Sequence, residues 1–411
     1  LCAVLYPGDG TREGKALRLS QQYMLCSASV QDILARWKER GNCDWSKLHE
    51  KVAVQMNDTH PTLAAPELMR ILIDEEGLSW DDAWAVTTKT VAYTNHTVMP
   101  EALEKWPMDL VEELLPRHME IIKRIDKEFI ASVKAKYAKM PAAELERTIA
   151  AMGILENYVS PEEKAAKAAA KAKAAKAKAA KAKTAKTAVV EEEEEEEEEP
   201  AMVRMANLCC ISGMAINGVA AIHSEIVKDV VFNDFYKLFP EKFQNKTNGV
   251  TQRRWLAFSN PDLRDLISSK IGGDAWIREL EMLRDLDKYA EDAEFQSQWR
   301  AIKHKNKKKL AKFIEEKTGT VVSPDALFDI QVKRIHEYKR QLLNVFSVIH
   351  RYNKIKAATP EERKEMVPRV VVIGGKAAPG YDMAKRIIKL VCAVGDKVNN
   401  DPDVGDLLKL V

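Results

Sequence analysis

The chain has 411 residues, of which 46% are hydrophobic, so two or more domains with substantial cores are expected. Its 64 basic and 62 acidic side chains leave a net charge of +2, which indicates no nucleic-acid or membrane partner. No apolar run approaches the roughly 20 residues that a membrane helix needs. The six cysteines form no C-x-x-C pair, which argues against a structural zinc site and is typical of free thiols in a reducing compartment.

Short strands and amphipathic helices alternate over the first 160 residues. The predicted elements here are a strand over 51–56, a helix over 66–76, a helix over 80–91 and a further helix from Pro100. Gly77 is suited to end the first helix, and Ser79 with Asp82 has the pattern of a capping box that opens the second. Two polar turns, over 57–61 and 94–97, supply histidine and asparagine side chains.

Residues 164–199 form a low-complexity charged insertion. An Ala/Lys repeat over 164–186 carries nine lysines, and residues 191–199 are nine consecutive glutamates, so the two charges cancel. Because the segment has no aromatic residue and almost no β-branched one, it cannot bury a core. We expect it to be disordered or loosely helical. A nucleic-acid role for the lysines is disfavoured, since the adjacent acidic run competes for them.

Beyond the insertion, the pattern predicts one buried helix and one βα unit. Small residues over 207–222 suggest a closely packed, buried helix. Residues 369–373 are predicted as a buried parallel-type strand that runs through Gly374 and Gly375 into a helix. The apolar stripe of that helix is Ala384, Ile387, Ile388, Val391 and Val398. This arrangement is typical of a doubly wound parallel sheet.

A cationic segment follows another predicted strand, over 327–332. Four fixed positive charges fall within eight residues, with His336 and Tyr338 between them: Lys333, Arg334, Lys339 and Arg340. A helix is predicted from residue 339 to about 352, with an apolar stripe that includes Val345 and Phe346. Free backbone N–H groups and the helix dipole favour an anion at such a helix start, and arginine grips phosphate with a planar fork. The alternative is a solvated basic face at a helix start.

Several familiar catalytic motifs are absent from the sequence. His336-Glu337 has no second histidine four residues on, and there is neither a G-x-S-x-G elbow nor a Walker loop. No carboxylate pair has the pattern of a hydrolytic acid/base couple. The polar residues that cluster after strands are cations, histidines, Asn and Tyr. This set suits the binding of phosphate and sugar hydroxyls better than hydrolysis.

Seven polar motifs are spread along the chain outside the insertion. They are Gln55-Met-Asn-Asp-Thr-His-Pro61, Tyr93-Thr-Asn-His-Thr-Val98, Asn217-Gly-Val-Ala-Ala-Ile-His-Ser-Glu225, Lys242-Phe-Gln-Asn-Lys-Thr-Asn-Gly249, Arg253-Arg-Trp255, residues 329–343, and Gly374-Gly-Lys-Ala-Ala-Pro-Gly380. In this order they resemble the α-glucan (glycogen/starch) phosphorylase family, of which the chain resembles roughly the middle half. The insertion lies where plastid-type starch phosphorylases carry a charged segment, which slightly favours a plastid over the cytoplasm.

The resemblance implies an α/β fold with two Rossmann-like domains of the GT-B glycosyltransferase type, both incomplete in this chain. The implied divisions are 1–160, the C-terminal part of an N-terminal glucan-binding and catalytic domain; 161–200, the insertion; 201–246, the end of that domain; and 247–411, the first part of a C-terminal cofactor-binding domain.

The family's reaction is reversible phosphorolysis, in which a terminal α-1,4-linked glucose and orthophosphate give glucose 1-phosphate. The resemblance therefore implies α-1,4-glucan and orthophosphate as partners and pyridoxal 5'-phosphate as cofactor, with no metal. It also implies an allosteric enzyme that is a homodimer at full length. The lysine that forms the cofactor's Schiff base is expected beyond Val411, so the chain alone is expected to be inactive.

The family's phosphate-binding roles match the cationic segment. Arg334 and Lys339 match residues that hold the substrate phosphate. Lys333 and Lys339 match residues near the cofactor phosphate, and Trp255 matches an aromatic beside the cofactor. Several cations are needed where two phosphates meet and charge develops on one of them.

The sugar-binding roles match residues in both halves of the sequence. Tyr338 matches a donor to a glucose hydroxyl, while His96 and Asn248 match the pair that receives the sugar's 6-hydroxyl. Asp9 matches the acid of a mobile gate loop whose partner is His336. Two further residues, Asp58 and His60, match positions that line the cavity next to the glucose site.

Each role has a structural alternative. His96 could be an ordinary structural histidine, Trp255 could be core packing, and Asn248 could be turn chemistry at a domain hinge. His223 is taken as structural.

Two other functions remain open from the sequence. One is a sugar-nucleotide glycosyltransferase of the same architecture, which would need base and ribose contacts. The other is an interaction protein in which the charged insertion carries the function and the flanking segments serve as a scaffold. Deleting residues 164–199 would discriminate, because a phosphorylase should keep its chemistry without them.

Overall fold

The computed structural model describes residues 1, 7–41, 44–159 and 199–411. The chain divides into two units, Leu1–Asn248 and Gly249–Val411. The charged insertion lies outside the described residues, apart from Glu199. Both units combine helices with parallel strands, so the α/β class expected from the sequence is confirmed. None of the described helices has the length and the apolar character that crossing a membrane would require.

The described part of the first unit contains nine α-helices and seven strands. The helices are α1 Arg12–Glu39, α2 Ala64–Arg70, α3 Trp80–Thr90, α4 Met108–Leu114, α5 Pro116–Lys136, α6 Ala142–Met152, α7 Met205–Ser212, α8 Ala221–Ile226 and α9 Asn233–Leu238. The strands are β1 Val54–Asn57, β2 Val91–Thr94, β3 Lys105–Pro107, β4 Leu155–Glu156, β5 Met202–Arg204, β6 Ile216–Gly218 and β7 Phe243–Asn245. Short 3₁₀ segments lie at Trp45–Glu50, Pro100–Ala102 and Pro240–Lys242, and π-helical turns at Ile71–Glu75 and Val227–Val231.

The main sheet of this unit has the order β1-β2-β6-β7, and every pair is parallel. Strand β1 starts later than predicted because Lys51 still closes the preceding 3₁₀ segment. The two predicted helices are confirmed as α2, which its π-helical turn prolongs, and α3. Gly77 has φ +73°, a left-handed conformation suited to the end of that first helix. Ser79 Oγ accepts a hydrogen bond from the Asp82 N–H (3.1 Å) and so caps α3.

The helix predicted from Pro100 is wrong. Only the 3₁₀ segment Pro100–Ala102 forms there, and β3 follows it. Strand β3 pairs antiparallel with β5, which also pairs with β4. A helix that continued past residue 103 would be interrupted at Pro107, because proline has no backbone N–H to donate to the carbonyl four residues earlier. Trp106 is buried in this second sheet. The pairing partner lies almost 100 residues away, so a local pattern could not indicate it.

The single buried helix predicted over 207–222 is also wrong. The segment contains the end of α7, the strand β6 and the start of α8. All eight residues of α7 are buried, which agrees with the expectation of close packing. Strand β6 is only three residues long and has parallel partners on both sides, β2 and β7. Its existence depends on these long-range pairings.

A fully buried carboxylate, Glu67 on α2, connects three helices of the first unit. It accepts hydrogen bonds from Ser27 Oγ on α1 (2.6 Å), Arg70 Nε (2.8 Å) and His118 Nε2 on α5 (2.5 Å). Burial alone would raise the pKa of Glu67, but the bonds from His118, Arg70 and Ser27 outweigh it and lower the pKa to about 2. The ionised carboxylate therefore stabilises the packing of α1, α2 and α5.

We predict that Glu67→Gln lowers the free energy of unfolding by about 3–5 kcal/mol at neutral pH, because it leaves buried donors without their anion. Since the folded pKa of about 2 lies below the ordinary value of 4.5, this stabilisation is present above pH 4.5 and is lost as the pH falls toward 2. Urea denaturation at several pH values would measure both effects. The control is Glu112→Gln, which removes an exposed pair with Lys123 and should cost less than about 1 kcal/mol. Equal losses in the two variants would contradict the prediction.

The second unit has five α-helices and three strands. The helices are α10 Pro261–Ile271, α11 Ala293–Thr318, α12 Gln341–Ala357, α13 Pro360–Lys364 and α14 Asp382–Asn399, and the strands are β8 Leu327–Val332, β9 Arg369–Gly374 and β10 Leu408–Leu410. A π-helical turn lies at Arg253–Phe258, and 3₁₀ segments lie at Asp274–Ile277, Leu280–Tyr289, Glu337–Lys339 and Gly405–Leu407. The strands form a parallel sheet in the order β10-β9-β8. The predicted βα unit is thereby confirmed as β9 followed by α14, which buries Ala384, Ile387 and Val398.

The helix predicted from residue 339 begins instead at Gln341. The 3₁₀ segment Glu337–Lys339 comes first, and Arg340 then has a left-handed conformation with φ 61°. The buried side of α12 includes Val345 as predicted, but Phe346 is exposed. The face that packs against α14 is therefore rotated slightly from the predicted stripe.

Candidate functional site

The carboxyl end of each strand in the main sheet of the first unit leads into a polar turn. Asn57 is the last residue of β1 and Asp58 follows it, His96 follows β2, Val219 follows β6 and Asn248 follows β7. Because all four strands are parallel, these turns lie along one edge of the sheet. The carboxyl edge of a parallel sheet is the usual ligand-binding edge of α/β proteins.

Three of the predicted site residues line one cavity of about 680 Å³, namely Asp9, Asp58 and His60. Asp58 has φ 74°, and its carboxylate accepts a hydrogen bond from the Thr59 N–H (2.7 Å). Asp9 is exposed and pairs with Arg18, whose Nη1 lies 3.4 Å from its Oδ2. The cavity is thus lined by both carboxylates and cations, a set that suits hydroxyl-rich ligands.

His96 is exposed, but its surroundings are well fixed. Its Nε2 lies 2.5 Å from Oδ1 of Asn57, the last residue of β1. The residue before it, Asn95, is 1% exposed, and Asn95 Nδ2 donates to the hydroxyl of the fully buried Tyr93 (3.1 Å). The carbonyl of Asn217 accepts from the Asn95 N–H (2.9 Å). The His96 turn is therefore anchored to two neighbouring strands.

His223, which the sequence analysis took as structural, is bonded at both ring nitrogens. Its Nδ1 accepts from the Val219 N–H (3.0 Å), so the proton of the neutral ring must be on Nε2. Nε2 then donates to Asn95 Oδ1 (3.0 Å). Burial lowers the pKa of His223; a hydrogen bond between the ring and the Thr97 backbone opposes this effect, and the nearby His96 adds to it. The ring therefore stays neutral and bridges the turns after β2 and β6.

Asn248 is exposed and is the last residue of the first unit. Its backbone N–H donates to the Val219 carbonyl (2.9 Å). The loop that carries the Asn248 side chain is thus tied to the turn after β6.

The cationic segment of the second unit follows the carboxyl end of β8, as predicted. The Lys333 N–H donates to the Gly374 carbonyl (2.9 Å). Gln341 is fully buried, and its Nε2 donates to the Arg334 carbonyl (3.1 Å). A Cβ on Gly375 would lie 2.0 Å from the Lys333 carbonyl oxygen. Two hydrogen bonds and one obligatory glycine therefore define the path of this turn. Neither Gln341 nor Gly375 had been given a role from the sequence.

Among the described residues, the cations of this segment have no acidic partner, and three of them, Lys333, Arg334 and Lys339, are the predicted phosphate-binding residues. Lys333 and Arg334 are exposed, and Lys339 is half-buried with Nζ 5.6 Å from the centre of the Tyr338 ring. In the described ranges, no carboxylate lies within ion-pair distance of any of the three. Their mutual repulsion is therefore not offset by a protein carboxylate. Such a cluster is suited to an anionic ligand.

His336 lies between two aromatic rings within this segment. Its ring centre is 5.4 Å from that of Tyr338 and 5.5 Å from that of Tyr381. Burial lowers the pKa of His336, and repulsion from Lys339 and Arg334 lowers it further. The imidazole is therefore neutral near pH 7 while the cluster carries no anion.

Trp255 lies in the π-helical turn Arg253–Phe258 and is 66% exposed. Trp255 is therefore not packed into the core of the described part of its unit. Among the described residues, no group of three or more His, Cys, Asp or Glu side chains could hold a metal ion.

We predict that Gly375→Ala weakens the binding of inorganic phosphate by on the order of tenfold, because the added Cβ displaces the Lys333 carbonyl and the cations with it. Titration calorimetry would measure the change. The matched control is Gly374→Ala, whose Cβ would meet only the Val332 side chain, with its nearest atom, Cγ2, at 3.5 Å. An equal effect of both substitutions, or of neither, would contradict the prediction.

We also predict that phosphate raises the pKa of His336. A bound dianion would offset the repulsion from Lys339 and Arg334, which lowers the pKa in its absence. The pKa would be followed by NMR titration of carbon-13-labelled histidine, with chloride at equal ionic strength as the control. The same pKa in phosphate and in chloride would show that no anion binds beside the ring.

Parallel sheets with polar turns at their carboxyl edges, together with an unpaired cationic turn, define an α/β protein equipped to bind polar, anionic ligands. A family model for the carbohydrate phosphorylases matches residues 1–166 and 162–411, and the chain belongs to this family. The resemblance inferred from the seven motifs is thereby confirmed.

Named relatives match the whole of the chain. It is 55% identical to Alpha-glucan phosphorylase 1 of Arabidopsis thaliana and covers 44% of that protein. It is 53% identical to the Alpha-1,4 glucan phosphorylase L-2 isozyme, chloroplastic/amyloplastic, of Solanum tuberosum and covers 46% of it. It is 50% identical to Alpha-glucan phosphorylase 2, cytosolic, of Arabidopsis thaliana and covers 44% of it. The chain thus spans somewhat less than half the length of these relatives.

Proposed function

We propose that this chain is part of an α-1,4-glucan phosphorylase. The proposed reaction is the reversible transfer of a terminal glucosyl unit from glycogen, starch or maltodextrin to orthophosphate, which gives glucose 1-phosphate. Membership of the carbohydrate phosphorylase family supports this proposal, as do the names of the relatives given above.

The observation that carries the proposal is the cluster of Lys333, Arg334 and Lys339, which lack acidic partners at the carboxyl end of β8. Arg334 would hold the substrate phosphate with two parallel N–H donors, and Lys339 would add a second positive charge. As the glycosidic bond breaks, these groups would stabilise the charge that develops on the phosphate.

The sugar would be held by neutral and acidic groups. His96 and Asn248 would receive its 6-hydroxyl, and Tyr338 would donate to another hydroxyl. Asp58 and His60 would line the adjoining cavity, where their polar atoms can replace the water that a sugar sheds on binding. Asp9 would act as the acid of a gate loop.

Pyridoxal 5'-phosphate is the proposed cofactor, and the residues present fit its phosphate and its ring. Lys333 and Lys339 offer ammonium donors without acidic partners in the described part of the chain, and Trp255 offers an exposed aromatic face. When bound, the cofactor would supply a second phosphate group beside the substrate phosphate. Lys333 and Lys339 would reduce the repulsion between the two anions.

The proposal extends to the architecture and setting of the whole protein. We propose two Rossmann-like domains of the GT-B type and a homodimer. The named relatives include both chloroplastic/amyloplastic and cytosolic proteins. The charged insertion favours the plastid.

Arg334→Ala in the full-length enzyme is predicted to lower the rate of phosphorolysis by about 10²–10³-fold while the cofactor stays bound. The reason is that Arg334 would serve the mobile substrate phosphate, whereas Lys333 and Lys339 would also serve the cofactor. Initial rate and cofactor absorbance would be measured on one preparation.

The control for this experiment is Arg386→Ala, which removes an exposed arginine on α14 and should leave the rate unchanged. A near-normal rate for Arg334→Ala at saturating phosphate would remove Arg334 from the site. A simultaneous loss of the cofactor would contradict the division of roles between Arg334 and the two lysines.

A further inference from the structure

A continuous path of hydrogen bonds connects the two groups proposed above to receive the sugar's 6-hydroxyl. On one side, His223 Nε2 donates to Asn95 Oδ1 (3.0 Å), and the same oxygen accepts from the Thr97 N–H (3.1 Å). Asn95 and Thr97 are the residues immediately before and after His96. The bonds therefore fix the backbone on both sides of His96.

On the other side, the path leads to Asn248 through a single residue. Val219 donates its N–H to His223 Nδ1 (3.0 Å), and its carbonyl accepts from the Asn248 N–H (2.9 Å). The His223 ring is thus the middle component between the His96 turn and the Asn248 loop. A neutral imidazole is rigid and presents one donor and one acceptor at fixed separation.

We propose that His223 is a positioning residue that sets the spacing between His96 and Asn248, and thereby the preference for a sugar with a 6-hydroxyl group. This inference rests on the proposed phosphorolysis. His223 itself does not contact the substrate in this assignment, because both of its nitrogens are occupied by Val219 and Asn95.

The competing explanation is that His223 only stabilises α8, since it lies in that helix and is half-buried. A general loss of stability would impair all donor sugars alike. A change in the distance between His96 and Asn248 would impair only the substrate that uses both residues. The two explanations therefore differ in selectivity rather than in total activity.

Two substitutions separate the two sides of the path. In His223→Asn, the amide oxygen can replace Nδ1 as acceptor for Val219, while the bond to Asn95 is lost. In His223→Gln, the amide nitrogen can replace Nε2 as donor to Asn95, while the bond to Val219 is lost. His49→Gln serves as the control, because His49 is also half-buried in the first unit and lies outside the path.

The assay follows phosphate release in the synthetic direction by the full-length holoenzyme, with maltodextrin as acceptor. The donors are glucose 1-phosphate and 6-deoxyglucose 1-phosphate, which lacks only the hydroxyl in question. The unmodified enzyme should prefer glucose 1-phosphate by about a hundredfold in kcat/KM, because a site built around a hydroxyl rejects the analogue that lacks it. Each His223 variant should reduce this preference by about tenfold, mainly through the KM for glucose 1-phosphate. Its kcat/KM for the 6-deoxy donor should change by less than about twofold, and His49→Gln should match the unmodified enzyme.

The outcomes separate this inference from the proposed function. An unmodified enzyme that releases no phosphate from glucose 1-phosphate would overturn both. If the unmodified enzyme is active and selective, but the His223 variants keep the full preference or lose both donors equally, then the inference is wrong and the proposed function stands.

A measurement on the unmodified protein tests the same inference without relying on the folding of variants. Nitrogen-15 NMR distinguishes the two neutral tautomers of a histidine, and the path requires the proton of His223 on Nε2. That tautomer is the expected result. A proton on Nδ1 would remove the bond to Val219 and overturn the inference.

Discussion

Parallel strand pairing is the constraint on which the rest of each unit depends. Adjacent parallel strands all end at the same edge, so each turn that follows a strand is placed beside the next one. In the first unit this brings together polar turns that are far apart in sequence, those after β1, β2, β6 and β7. In the second unit it places the cationic turn after β8 beside Gly374 and Gly375 at the carboxyl end of β9. Motifs that are dispersed along the sequence are thereby collected at the carboxyl edges of two sheets, one in each unit.

The turns themselves are held by side chains that contact no predicted ligand. Gln341, fully buried at the start of α12, donates to the Arg334 carbonyl, and Asn95 accepts from both Thr97 and His223. Such side-chain bonds to the backbone satisfy polar groups that would otherwise be buried without partners. They also fix the geometry of exposed neighbours such as Arg334 and His96, which have few contacts of their own. The turns that carry the candidate site residues are therefore held in place while their side chains remain accessible.

Local patterns were sufficient to predict the elements that depend on local chemistry. The strand β8, the helix α3 with its Ser79 cap and the β9–α14 unit each have a clear period or a clear capping signal. Two strands that lie in wrongly predicted segments, β3 and β6, are three residues long and form only because distant strands pair with them. Motif resemblance indicated the candidate residues of the site, since the family pattern retains identity and spacing. The supporting residues were missed because a buried Gln or a doubly bonded His gives no signal in sequence until its partners are known.

The hydrogen bonds at both ring nitrogens of His223 have a consequence for acid–base chemistry at this edge of the sheet. With Nδ1 accepting from Val219 and Nε2 donating to Asn95, both ring nitrogens already have partners within the protein. A ligand could exchange a proton with this ring only if one of the two bonds were broken, although the ring lies next to His96. The residue type most often employed as a general base is placed here to hold two turns at a fixed distance. Proton transfer through this imidazole would therefore loosen the connection between the turns after β2 and β6.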